Sequence, residues 1–340
     1  MVLKAIRWFL IAVLIAVVVV AAVLGIGASR SMDHDYRYTQ AFDTLAEFSS
    51  ATTDGLVRIK GGAYEFRARV AGFEAGNERP GVILLHGFPV TSAMWASIIQ
   101  PLADAGYRVV AFDQRGYSPG ARPSDVENYV IPELVSDVLA VADAVGFEEF
   151  HLVGHDWGAI VGWNTVMTEP DRIITWTALS IAHPTAFGDA VRNDPDQKSR
   201  SSYFYFFITP WLPETLFSYN DFEMLKGIYS SMAAPQRQEY LEVFSEPGAL
   251  TAALNWYRGM LVDQSSAEEP DIVIRTPTLF IWGNKDFSAG RVAVDSQTEF
   301  IVGPYKMLEL PGSHWLMEEF PEQTTEAILE HLYTYSDRDL

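Results

Sequence analysis

The 340-residue sequence contains no cysteine. Thiol nucleophiles, thiolate metal sites and disulfides are thereby excluded, while the redox compartment stays open. Positive charge is scarce, with 24 Lys and Arg against 44 Asp and Glu and a formal charge of −20. Nucleic-acid binding draws on clustered basic side chains that displace counterions from phosphates, so this balance argues against it and toward a neutral or small partner. Internal repeats and low-complexity tracts are also missing, which sets aside repeat architectures. Hydrophobic residues, by contrast, make up 49% of the chain. That is too many for a disordered protein, and 340 residues can bury one large core with an inserted subdomain.

The apolar residues are unevenly spread. Trp8 to Gly27 form an unbroken apolar run preceded by Lys4 and Arg7. About 20 such residues match the length an α-helix needs to cross a bilayer. Residues 1–29 are therefore expected to be a transmembrane anchor. A cleaved signal segment is the alternative, with small residues at Gly25, Gly27, Ala28 and Ser29. Positive flanks resist translocation, so Lys4 and Arg7 would stay cytoplasmic and the rest would lie on the extracytoplasmic side. Residues 30–55 read as a tether.

From Val57 a polar–apolar alternation around Gly61 and Gly62 predicts a two-stranded hairpin. Apolar runs follow at 82–86, 107–113, 150–155, 173–181, 277–283 and 305–311, which suits parallel strands buried on both faces. Helical periods over 92–105, 131–145, 158–168 and 324–333 separate them. The expected fold is an α/β core, residues 56–182 and 263–340, with a mostly parallel sheet and helices on both faces. The rhythm stops at 183–262, where aromatic and helical segments read as an inserted helical cap.

The strand at 150–155 runs into Gly154-His155-Asp156-Trp157-Gly158. Glycines flanking a central residue mark a sharp strand-to-helix turn that lifts a nucleophile above the sheet. Here the central residue is Asp156. A carboxylate with a reference pKa of about 3.9 is ionised at neutral pH and needs no base to attack an sp³ carbon. At a carbonyl it would gain little, because the anhydride formed reverts readily. Taken alone, the same pattern also reads as a turn whose aspartate caps the following helix.

Two further constellations favour chemistry. His86-Gly87-Phe88-Pro89 follows the strand at 82–86. It can aim the Phe88 N–H at the space where the Trp157 N–H also points, giving an oxyanion hole, although a plain turn fits too. Asp286 and His314 each lie just past a late strand, at the carboxyl edge where open α/β sheets build their sites. In the order Asp156, Asp286, His314, the histidine would activate water and Asp286 would fix its tautomer. His151 and His155 are four residues apart on a strand, about 13 Å, and cannot share a metal. His86 and His155 read as polar packing beside the site, with Pro89 and Trp256 completing a substrate-facing set. His183 reads as the core-to-cap junction, and His34 and His331 as surface groups.

At HGFP, DQRGYSPGARP, GHDWGA, the Asp286 loop and the SHW turn, the sequence resembles the α/β-hydrolase superfamily and, within it, the epoxide hydrolase group. The resemblance covers roughly residues 55–335. It implies a cis Phe88-Pro89 peptide, a helical cap after the sixth strand, and a mainly structural role for Asp113–Pro123. It also implies two cap tyrosines that protonate the epoxide oxygen while Asp156 forms an ester. LNWYRGM offers Tyr257 as the second. YFYFFITP offers Tyr203 as the first, with Tyr205 close enough to compete. A phenol with a pKa of about 10 is protonated at neutral pH yet donates to a developing alkoxide. No cofactor is implied, the co-substrate is water, and the aromatic cap suits a small apolar epoxide.

Haloalkane dehalogenases share the Asp-Trp pair, but they need a second halide donor where this chain has Phe88; Trp211 or Trp256 would have to substitute. Fluoroacetate dehalogenases carry an arginine where Trp157 stands. A different class of reading is a membrane-tethered hydrolase homologue that binds a ligand without turnover. A complete triad argues against it.

Overall fold

The computed structural model describes residues 2–31, 42–49, 54–74, 79–262 and 271–336. Most of the expected tether, and His34 with it, lies outside the described residues. Helix α1 spans Val2–Ser31. Its side chains are described at 6, 8 and 10–22, and almost all of these are exposed. Among the described residues no helix is long and apolar enough to cross a membrane. The expected transmembrane helix is thus not supported by the described residues.

The body is one eight-stranded sheet. Strands β1 (Gly55–Gly61) and β2 (Tyr64–Ala71) form the expected hairpin, with Gly61 opposite Tyr64. Then come β3 (Gly81–Leu85), helix α2 (Ala96–Asp104), β4 (Arg108–Phe112), α3 (Ile131–Ala144), β5 (Phe150–His155), α4 (Trp157–Thr168) and β6 (Ile173–Leu179). The sheet order is β1-β2-β4-β3-β5-β6, followed by β7 (Thr278–Gly283) and β8 (Tyr305–Leu310). β1 and β2 pair antiparallel, β2 joins β4 antiparallel, and every later pairing is parallel. Every residue of β3, β5, β6 and β7 is buried. This is why those strands lack alternation: helices cover both faces. The helical period at 92–105 resolves into a 3₁₀ turn, Ser92–Trp95, and then α2, because the Thr91 hydroxyl accepts from Ala93 N–H and starts the turn early.

Among the described residues between β6 and β7 lie six helices: α5 (Pro184–Asn193), α6 (Pro195–Arg200), α7 (Tyr203–Phe207), α8 (Leu212–Ile228), α9 (Ala234–Ser245) and α10 (Ala249–Gly259). His183 opens α5 by accepting from Thr185 N–H and stacks on Phe300. Within α8 the left-handed residues Asn220–Phe222 break the helix in two. After β7 the core closes with α11 (Arg291–Ser296), α12 (Leu316–Glu319) and α13 (Pro321–Thr334). His331 on α13 is buried, not a surface group, because its Nε2 reaches the Pro277 carbonyl at 3.2 Å.

These helices rest on a seat of buried charge. Glu239 of α9 accepts from Arg67 at 2.7 Å, from the Thr91 hydroxyl at 2.8 Å and, still closer, from Arg69. Arg67 also pairs with Asp113, whose second oxygen accepts from Ser92 N–H at 2.9 Å. The core side of this cluster holds two arginines and one aspartate, so Glu239 brings it to neutrality. Nearby, Arg122 pairs with Glu246, and the Trp256 indole N–H donates to the Arg115 carbonyl at 2.7 Å. The Asp113–Pro123 loop therefore forms the bed on which α9 and α10 lie.

Candidate active site

The elbow after β5 is sterically closed to side chains. A Cβ at Gly158 would lie 2.1 Å from the Leu85 carbonyl oxygen. With its neighbours so close, Asp156 adopts φ 53° and ψ −118°, a left-sided conformation uncommon outside glycine. Asp156 precedes α4 at the capping position, but its side chain makes no capping hydrogen bond. The carboxylate turns into the site instead. Its Oδ1 accepts from Phe88 N–H at 2.8 Å, and its Oδ2 lies 3.5 Å from His314 Nε2. Trp157 occupies the first turn of α4, where backbone N–H groups have no intrahelical acceptor and favour an anion.

The loop opposite is equally tight. A Cβ at Gly87 would sit 2.4 Å from Asp156 Cβ and Oδ1. The Phe88-Pro89 peptide is cis, and the Tyr229 hydroxyl of α8's end donates to the Pro89 carbonyl.

His314 Nδ1 lies 3.0 and 3.1 Å from the two oxygens of Asp286 and 2.7 Å from the Ser180 hydroxyl. Asp286 also accepts from Ser288 N–H at 2.7 Å and from the Ser180 hydroxyl at 2.5 Å. All three triad side chains are buried. Burial pushes both carboxyls up, but the hydrogen bonds and charge of His314, with the other donors, outweigh it and hold Asp156 and Asp286 below the usual carboxylate range. Burial pushes His314 down, yet Asp286 and Asp156 more than reverse this and raise it to about 10. In the resting site His314 thus lies between two carboxylates that both favour its charged form.

Aromatic cap residues roof this centre. The Tyr257 ring packs edge-on against Trp157 at 4.9 Å, Phe88 at 5.5 Å and Phe207 at 4.9 Å. Tyr203 packs against Phe204 and Phe207, and its hydroxyl lies 3.2 Å from the Ser288 hydroxyl. Burial, reinforced by the Asp156 charge, raises both phenols above their usual range and keeps them protonated. Tyr205, on the same short helix, is 71% exposed and cannot compete with Tyr203.

Three expected substrate contacts are spent elsewhere. His86 bonds the Gly87 carbonyl through Nδ1 at 3.0 Å and accepts from Gln114 N–H through Nε2 at 3.0 Å. His155 Nε2 bonds the His314 carbonyl at 2.9 Å, and its ring lies 4.6 Å from that of His314. Trp256 gives its N–H to Arg115, so it presents only a ring face, edge-on to Trp157. Trp211 is 66% exposed. Neither tryptophan offers a halide donor.

Ser180, Ser288, Tyr229 and Glu239 escaped sequence reasoning. No motif marks them: Ser180, Tyr229 and Glu239 act through partners far away in the chain, and Ser288 acts through its backbone N–H on Asp286 and its hydroxyl on Tyr203.

Residues 80–209 match the alpha/beta hydrolase fold family. The chain is 33% identical over 292 residues to epoxide hydrolase 4 of Homo sapiens, covering 82% of this chain and 78% of that protein. It is 33% identical over 325 residues to epoxide hydrolase A of Mycobacterium tuberculosis, covering 83% and 98%. Among solved structures, epoxide hydrolase A from Mycobacterium thermoresistibile superposes with a TM-score of 0.69 at 28% identity, covering 83% of this chain and 98% of that one.

Proposed function

This chain belongs to the epoxide hydrolase group of α/β-hydrolase enzymes, and from that premise we propose that it opens small apolar epoxides to vicinal diols in two covalent steps. One observation carries the reading: the buried Asp156 carboxylate lies 3.5 Å from His314 Nε2, with Tyr257 of the cap packed on the neighbouring Trp157 and Phe88.

In the first step Oδ2 attacks an epoxide carbon, since Oδ1 is held by Phe88 N–H. The C–O bond breaks, and the departing oxygen takes a proton from Tyr257 or Tyr203. The product is an alkyl ester on Asp156. Ester formation removes the Asp156 charge and with it one of the two carboxylates that raise His314. The imidazolium pKa falls, the Nε2 proton passes to the tyrosinate left by ring opening, and the histidine becomes a base only after the ester exists. It then takes a proton from water attacking the ester carbonyl. The oxyanion develops at Oδ1, where Phe88 N–H already points; Trp157 N–H is the second donor in this proposal. Collapse expels the diol oxygen, which regains a proton from His314, and Asp156 is restored.

The test is intact mass with an aromatic epoxide. His314→Gln should accumulate an adduct on Asp156 while the wild type releases diol. A folded variant without adduct would refute the two-step scheme. Offering a bromoalkane in parallel tests dehalogenation, which the engaged Trp256 and exposed Trp211 disfavour.

We also propose that residues 1–29 moor the chain to a membrane, with the catalytic body on the extracytoplasmic side. Support comes from the apolar run Trp8–Gly27 behind Lys4 and Arg7. Protease protection and alkaline extraction of membranes test this. Full release of the uncleaved chain by alkali would overturn it, and a mature protein starting near residue 29 would show a cleaved signal instead.

A further inference from the structure

Ser180 follows the last residue of β6 and is fully buried. Its φ is +75°, and Ile181 N–H donates to the Leu179 carbonyl at 2.9 Å across it. A three-residue turn centred on positive φ is the rare, strained form of γ-turn. A glycine would adopt it without strain, yet the position holds serine. Its own N–H is tied to Ile281 of β7 at 2.9 Å, and the Leu179 carbonyl also receives Asp156 N–H at 3.4 Å. The turn is thus anchored between the elbow and the strand leading to Asp286. Strain held this firmly beside a reacting centre points to a task for the side chain.

We propose that Ser180 is a positioning residue of the ester-hydrolysis step, its hydroxyl bridging Asp286 and His314 so that the imidazole keeps its Nδ1 proton and presents Nε2 to water. The distances allow one assignment of protons. The hydroxyl donates to Asp286 Oδ2 at 2.5 Å and accepts the Nδ1–H of His314 at 2.7 Å. Because Nδ1 is protonated in both the imidazolium and this neutral tautomer, the accepted bond orients the ring in both states. The donated bond disperses the Asp286 charge, so Asp286 attracts the imidazolium less strongly. Ser180 therefore both aims the base and keeps it from becoming too basic to release its proton. The other titratable groups facing His314 are Asp156, His155 and Glu318, whereas the Ser180 hydroxyl bonds Asp286 and His314.

The inference rests on His314 acting in the second step of the proposed reaction. The experiment compares Ser180→Gly and Ser180→Ala with the wild type in single-turnover half-reactions, with downfield proton NMR of the substrate-free protein. Glycine removes the hydroxyl and relieves the turn, while alanine removes the hydroxyl and retains the strain. Ser180→Gly should melt above Ser180→Ala. In Ser180→Gly, ester hydrolysis should slow at least tenfold with its acid limb moved to higher pH, alkylation should stay within twofold, and the Nδ1–H signal of His314 should shift. Unchanged hydrolysis and an unmoved limb in the folded glycine variant would overturn the proposal. So would an equal fall in both half-reactions with an unmoved signal, which denotes a packing role. If the wild type itself forms no adduct, the two-step reading fails, and the NMR signal alone decides whether Ser180 holds His314.

Discussion

Replacing Glu239 with Gln tests whether the cap tyrosines are placed by the charged seat beneath α9. The substitution takes a carboxylate partner from Arg67, which is 2% exposed, and from Arg69. The core side then carries an extra positive charge in a nearly dry cluster. Breaking a buried pair costs about 3–5 kcal/mol, and because Glu239 and Arg69 keep 18% and 20% exposure, about 2–3 kcal/mol is the appropriate expectation here. At about 1.4 kcal/mol per decade this displaces the seated cap by roughly 30- to 150-fold. In the proposed scheme alkylation draws on Tyr257 or Tyr203 from the cap, whereas hydrolysis draws on Asp286, His314 and Phe88 from the core. Stopped-flow tryptophan fluorescence can follow the two steps separately. Alkylation should slow by tenfold or more and hydrolysis by less than threefold, while Glu239→Asp recovers part of the loss. If both steps fall together, or alkylation is unchanged despite a lowered melting temperature, the seat does not position the tyrosines.

Tyr257→Phe should slow alkylation by about 10- to 100-fold, less than the full contribution of a general acid because Tyr203 remains, and should spare hydrolysis of a preformed ester. Gly87→Ala should reduce turnover by at least 100-fold, since its Cβ would sit 2.4 Å from Asp156 Oδ1; retention of a tenth of the activity would contradict that geometry. His314 is raised to about 10 in the folded chain, so the stability it contributes is complete below about pH 6.5 and is lost as pH rises through about 10. The melting-temperature difference between the wild type and His314→Gln should therefore shrink over that window, and a constant difference would deny the imidazolium resting state. Depressed Asp156 and Asp286 act at the other end, contributing stability above about pH 4 that disappears on further acidification, which acid melts of Asp286→Asn would reveal as a flatter profile.

The parts of the molecule legible in the chain were those whose physics is local. Strands β3, β5, β6 and β7 announce themselves because burial on both faces leaves no polar alternation. The elbow is readable because Gly154 and Gly158 flank Asp156 within one short stretch of chain, although the Leu85 carbonyl that closes on Gly158 comes from β3. Directions of side chains were not readable. Trp256 sits next to Tyr257, yet the helical turn between them sends one indole N–H to Arg115 and the other ring to the site. Tyr203 and Tyr205 are equivalent as composition and differ only in the phase of α7. His331 carries no sequence mark of burial, because its partner is a carbonyl 54 residues away. Ser180 is the extreme case, with partners 106 and 134 residues distant and a backbone dihedral that serine does not advertise.

The cap is fastened on two sides. Glu239, Glu246 and Trp256 tie it to β2 and the Asp113–Pro123 bed. On the far flank, buried Gln197 of α6 bonds the Ser288 carbonyl and Gly290 N–H, both at 2.7 Å, and Arg200 bonds the Asp286 carbonyl. Such a cap works as a vaulted ceiling instead of a swinging door. Under such a ceiling substrates would have to thread between aromatic side chains, and the girth of the molecule, more than its length, would become the quantity on which selection acts. Exchange of this ceiling between relatives would succeed only where the incoming segment brings its own anchors for both walls.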